Sequence, residues 1–192
     1  MAGAHDNWSY LRELDLQRFV DRMRRKGLLA TLPSDAQFVA YCTPYSMSRT
    51  YTRCLAEQGF HWQAISSDEP DDWNIPDTDR PAAAEALYRC RVMHPYHPGF
   101  DQDDTPERLH RLYDYYVGTL CPCLERLGHN PGPIPTYEYF EAHRGRRTEW
   151  SPYALIEWRL GGGAYTSEDR QTLEDLYEQC PPVPDPDVLF DA

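Results

Sequence analysis

The chain has 192 residues, which suits one ordinary domain, and 41% apolar residues are enough to build a core. Its formal charge of -12 argues against a nucleic-acid partner, which needs a basic surface. No stretch approaches the roughly 18 apolar residues of a membrane span, and the mean hydropathy of -0.74 describes a polar surface.

The first residues, Met1-Ala2-Gly3-Ala4-His5-Asp6, show neither the basic region nor the apolar core of a secretion leader. Residues 1–30 contain an N-terminal amphipathic helix. Leu11, Leu14, Leu16, Phe19, Val20 and Met23 mark its apolar face over 8–29. Arg22, Arg24, Arg25 and Lys26 suit the negative end of its dipole, and Gly27 stops it.

Phe38 to Tyr41 is short, apolar and β-prone, and reads as a strand or a helix start. Ser46 or Ser48 caps a helix through Tyr51 and Cys54 to Gln58, closed by Gly59. Phe60 to Ile65 alternates apolar and polar residues and predicts a strand. Residues 66–80 are acidic and proline-bearing and predict a loop.

Pro81 suits the first turn of a helix over Ala82 to Val92, and His94-Pro95-Tyr96-His97-Pro98-Gly99 breaks it. Asp104 or Thr105 caps the next helix, with Pro106 in its first position and Leu109, Leu112, Tyr113, Tyr116 and Leu120 along it. Pro122 predicts a kink or break there, before Gly128 closes the segment. Pro131, Pro133 and Pro135 form a stiff connector, and Thr136 to His143 predicts a short helix.

Trp150 to Tyr153 reads as an aromatic turn and Gly161-Gly162-Gly163 as a flexible break. Ser167 opens a last helix to Cys180, and residues 181–192 read as an extended proline-acidic tail on the surface. These elements predict a mainly α fold with minor β-structure, a single compact domain over 1–192. It is built from two related helix–cysteine–glycine units, Cys54-Leu55 to Gly59 and Cys123-Leu124 to Gly128, cross-linked by disulfides.

Four phrases resemble a group of uncharacterised actinobacterial secreted proteins or lipoproteins. They are Tyr51 to Phe60, Leu87 to Cys90, Leu112 to Leu124 through Pro122-Cys123, and Cys180-Pro181-Pro182 with Val188-Leu189-Phe190. The resemblance covers about residues 45–192. It implies an extracytoplasmic, disulfide-bonded domain and no particular activity. Cys42 and Cys121 stand outside the pattern, and so does the missing leader, which keeps a cytoplasmic location as the alternative.

The six cysteines give three chemistries. In the first, Cys90 and Cys123 lie late in neighbouring antiparallel helices and pair with each other, and Cys54 pairs with Cys180 or Cys42. In the second, Cys90, His94, His97, Cys121 and Cys123 hold zinc or copper, since thiolate and imidazole suit both metals, although the spacing matches no established finger. In the third, Cys121-Pro122-Cys123 is a redox pair, placed at the wrong end of a helix to have its thiol pKa lowered.

No nucleophile elbow, metal-protease helix or phosphate loop is present, so an enzyme is not the expected class. Tyr115, Trp150, Tyr153 and Trp158 are candidate binding aromatics, and of Tyr113, Tyr115 and Tyr116 at least one should reach the surface. The leading expectation is a non-catalytic secreted or envelope-associated binding protein without a cofactor, taking a small molecule, glycan or protein. The alternatives are a cytosolic metal or thiol-redox protein and an acidic inhibitor or immunity-type protein for a basic partner.

Overall fold

The computed structural model describes residues 3–65, 67–161 and 166–190. It is mainly helical, and the chain divides into two compact units, Met1–Gln102 and Asp103–Ala192. One disulfide closes inside each unit: Cys54–Cys90 in the first, Cys123–Cys180 in the second.

In the first unit α1 (Gly3–Arg25) lays down Phe19, Val20 and Met23 as a core face. Gly27, at φ 71°, then closes the helix: Leu28 N–H reaches the Met23 carbonyl at 2.9 Å and Gly27 N–H the Arg24 carbonyl at 3.0 Å. The basic last turn does more than offset a dipole. Arg22 pairs with Asp68 at 3.4 Å and Glu69 at 3.6 Å, and Lys26 pairs with Asp71. These contacts fasten the acidic 67–79 segment, which contains two short 3-10 turns, along the helix. Within it Trp73 is buried, and its Nε1 donates to the Ser67 carbonyl at 2.8 Å.

Helix α2 (Met47–Ala56) has Ser46 at its N-cap, but the Ser46 hydroxyl caps nothing and instead accepts from Thr43 N–H at 2.9 Å. Residues 60–65 do not form the expected strand. Trp62–Ile65 is a single helical turn, α3. A turn places Trp62 and Ile65, three apart, on one side, where Ile65 is fully buried. Among the described residues β-pairing is confined to an isolated parallel bridge between Cys42 and Tyr96. The 38–41 segment is therefore neither strand nor helix, with Val39 N–H donating to the Met93 carbonyl at 2.8 Å. Helix α4 (Arg80–Met93), with Pro81 in its first turn, buries Ala83, Ala84, Ala86, Leu87, Tyr88 and Cys90. Each large apolar side chain so buried contributes about 1.5–3 kcal/mol.

In the second unit Thr105 caps α5 (Pro106–Tyr115) by accepting from Arg108 N–H at 3.2 Å. Pro122 does not break the run. A π-helical turn, Tyr116–Leu120, leads directly into α6 (Cys121–Arg126). A proline lacks an N–H and its ring crowds the carbonyl four residues back, and the wider π turn makes room for it. Helix α7 (Tyr137–His143) begins at the Thr136 cap. Helix α8 (Ala154–Gly161), which the sequence did not announce, follows the Trp150–Tyr153 turn. Gly162 and Gly163 of the expected flexible break lie outside the described residues. Helix α9 (Ser167–Gln179) opens with a capping box formed by Thr166 and Asp169, one residue ahead of the expected serine.

The tail is not an extended surface strand. Pro186–Phe190 forms α10, with Pro186, Leu189 and Phe190 buried. Arg111 Nε donates to the Leu189 carbonyl at 3.0 Å, and the Arg108 guanidinium lies 5.1 Å from the centre of the Phe190 ring. Apolar burial and a cation–π contact overrule the extended preference of the prolines.

The two cysteine phrases do fold alike. Gly59 and Gly128 adopt φ of 83° and 80°. Phe60 N–H bonds Leu55 O and His129 N–H bonds Leu124 O, each at 2.9 Å. Gly59 N–H bonds Ala56 O and Gly128 N–H bonds Glu125 O, each at 3.0 Å. This is the same glycine-terminated helix end twice. Both leucines are fully buried, and both cysteines are bridged. The pairing differs from that expected: Cys90 bonds Cys54, and Cys123 bonds Cys180. Helix α4 packs on α2, which brings the Cys54 and Cys90 Cα atoms to 5.9 Å. Both Cys90–Cys123 and a Cys54 bridge to Cys42 or Cys180 are thereby excluded. Cys42 and Cys121 are buried free thiols.

Candidate functional site

The first unit contains a cleft of about 660 Å³. A volume of a few hundred to a thousand cubic ångströms suits a small-molecule ligand. Leu11, Leu14, Asp15 and Arg18, spaced i, i+3, i+4 and i+7, give the cleft one face of α1. Leu11 and Leu14 are half-buried here, so the upper part of the predicted apolar stripe faces the cleft. Met47 and Tyr51 come from α2, Trp62 and Ile65 from α3, Leu87 and Arg91 from α4, and Tyr96 and Asp101 from the turn beyond it.

Tyr51 and Trp62 meet edge to face with ring centres 5.3 Å apart, a favoured aromatic arrangement. Burial holds the Tyr51 hydroxyl protonated far above the usual phenol range. The Tyr96 hydroxyl bonds the Asp101 carboxylate. Burial first, and the Asp101 charge second, push the Tyr96 pKa up to about 12.

The central cation is Arg91. Its guanidinium donates to Asp15 Oδ2 at 3.1 Å and to Asp68, and stacks 4.8 Å from the centre of the Phe19 ring. Its Nε is buried without a hydrogen-bond partner among the described residues. Arg12 lines the cleft with its guanidinium 5.3 Å from the centre of the Phe38 ring. Arg18 is exposed and has no ion pair among the described residues.

The sequence singled out other residues, and the structure disperses them. Tyr153 is a core residue, 1% exposed, whose hydroxyl donates to the Cys180 carbonyl. Trp150 packs against Tyr116 and Phe140, with ring centres 5.9 Å and 6.4 Å away. Tyr115 is half-buried, with its hydroxyl on the Pro181 carbonyl at 2.8 Å. Of the four binding aromatics only Trp158, 72% exposed, stands out in solvent. Among Tyr113, Tyr115 and Tyr116 none is fully exposed: the first two are half-buried, and Tyr116 is buried.

The proposed metal ligands are not brought together either. The Cys90 and Cys123 sulfurs belong to separate disulfides, and a bridged sulfur is not a thiolate ligand. His97 is fully buried, takes the Gly99 N–H on Nδ1 at 3.0 Å, and lies 4.4 Å from the Tyr41 ring centre. His94 is half-buried and held below the usual histidine range, by burial first and Arg53 second. Cys121 is buried, which raises its pKa to about 11 and keeps it a thiol. Among the described residues no group of three or more His, Cys, Asp or Glu side chains is placed to hold a metal ion. The Cys121-Pro122-Cys123 pair is likewise not a disulfide, because Cys123 is bonded elsewhere.

The residues that do build the cleft were missed because five separate segments supply them. The one local signal was charge, Asp15 and Arg18, interrupting the apolar stripe of α1. Comparison of the chain with known protein families, characterised proteins and solved structures finds no match.

Proposed function

We propose that the protein is a non-catalytic binding protein that holds a small molecule in the cleft between α1, α2 and α4, and that it works in a secreted or cell-envelope setting. The observation that carries the reading is the cleft itself: an apolar and aromatic lining from Leu11, Leu14, Met47, Tyr51, Trp62 and Leu87, about 660 Å³ of space, and six charged side chains beside it. The Asp15 and Asp68 carboxylates are committed to Arg91, which suits a wall better than a general base. The setting rests on two disulfides, which persist in oxidising compartments. The resemblance to secreted actinobacterial proteins points the same way. No helix among the described residues is long and apolar enough to cross a membrane.

The test uses N-phenyl-1-naphthylamine, a neutral apolar fluorophore. Its emission should rise to saturation at one site per chain. Leu14→Trp, which fills the cleft from α1 with a residue a helix accepts, should abolish the rise and leave the circular dichroism unchanged. Non-saturable binding, or equal binding by the variant, would refute the reading.

A further inference from the structure

We infer that the ligand of this cleft is a small amphipathic carboxylate, its charged group held by Arg18 and its apolar body against Tyr51, Trp62 and Leu87. The inference rests on the binding reading above and adds the ligand's chemistry.

The argument is one of charge. Cleft-lining cations and anions are equal in number, Arg12, Arg18 and Arg91 against Asp15, Asp68 and Asp101, but they are not equally engaged. Asp15 and Asp68 share Arg91, and Asp68 also meets Arg22. Asp101 accepts from the Tyr96 hydroxyl. Arg12 lies on Phe38. The Arg18 guanidinium, on the same helix face as Leu11 and Leu14, has neither an ion pair nor a ring contact among the described residues. The lining charges thus balance formally, and what a ligand's anionic group meets is the uncommitted guanidinium of Arg18 rather than a net positive field.

A guanidinium presents paired donors that fit a carboxylate. Arg91 Nε is a further buried donor in the cleft wall with no acceptor among the described residues. A neutral ligand would leave Arg18 unused, and a cation would face it. The apolar side chains of α1, α2, α3 and α4 are suited to an alkyl or aryl body rather than to a compact inorganic anion.

The test displaces N-phenyl-1-naphthylamine with three probes that share a ten-carbon chain: decanoate, 1-decanol and decyltrimethylammonium. Decanoate should compete at least about tenfold better than the other two. Arg18→Gln should weaken decanoate by about tenfold or more and leave decanol unchanged, as for loss of a hydrogen bond to a charged group. Arg24→Gln, an exposed change on the same helix outside the cleft, should leave decanoate unchanged.

The inference is overturned if decanol or the ammonium competes as well as decanoate. It is also overturned if Arg18→Gln has no effect, or if Arg24→Gln has the same effect. In each of those cases saturable dye binding still supports the binding reading. If the dye itself does not bind saturably, both the reading and the inference fall.

Discussion

Removing the Cys54–Cys90 bridge should cost about 4 kcal/mol. The bridge closes a loop with a sequence separation of 36. In the chain-entropy model a loop of that size withdraws about 13 cal/mol/K from the unfolded ensemble, or about 4 kcal/mol at room temperature. Cys54 and Cys90 are almost completely buried, so Cys54→Ala/Cys90→Ala adds a small cavity cost. It also deprives the Gln58 side-chain amide of the Cys90 sulfur it approaches at 3.3 Å.

For a unit of this size about 4 kcal/mol corresponds to a fall in Tm of roughly 15–30 °C. Calorimetry of the double variant against the parent measures it. A non-reducing digest of the parent should join the peptide holding Cys54 to the one holding Cys90. The parent should weigh about 4 Da less than its fully reduced form, two hydrogens per bridge, and only Cys42 and Cys121 should label with a thiol reagent after denaturation. A double variant that melts with the parent would refute the entropic argument. Six labelled cysteines in protein kept from reductant would refute the bridges themselves.

Two further predictions concern the fold. Gly132→Ala should cost about 1–2 kcal/mol from backbone strain at φ 83°, plus the approach of its Cβ to 2.7 Å from Leu155 Cδ1. Gly145→Ala, at φ 70° with nothing within 4 Å, bears the backbone strain alone, so equal melting of the two variants would refute the contact argument. Stability should fall with acid through His94. Its folded pKa lies below the ordinary 6.5, so the contribution is full above that value. As pH falls through the unfolded value toward the folded one, the unfolded chain binds the extra proton and the contribution is lost. Urea midpoints at pH 7.5 and 5.5 measure this, and His94→Gln should flatten the difference; an identical slope in the variant would refute it.

Much of the helical framework was legible because its signals are local. The apolar spacing and Gly27 located α1, Thr105-Pro106 located α5, and the cysteine–leucine–glycine phrases gave two helix ends that form as read. Where the sequence misled, the deciding term was tertiary. Alternation over Phe60–Ile65 is too short to separate a strand from a helical turn, and burial of Ile65 selected the turn. The prolines of the tail suggested extension, but Leu189 and Phe190 had a core to enter. Disulfide cross-linking was foreseen and its pairing was not, because pairing depends on which helices become neighbours. The cleft left little trace, since Arg18, Arg91 and Tyr96 are widely separated along the chain and gain a role only through packing.

Both bridges also shape how the chain breaks. A single protease cut in the acidic segment between Cys54 and Cys90, or in the connector between Cys123 and Cys180, severs the backbone without releasing a fragment. The nicked protein keeps its mass, apart from one added water, until a reductant is present. An intact band on a non-reducing gel is therefore no measure of an intact backbone, and proteolytic mapping of this protein gives its cut sites only after reduction.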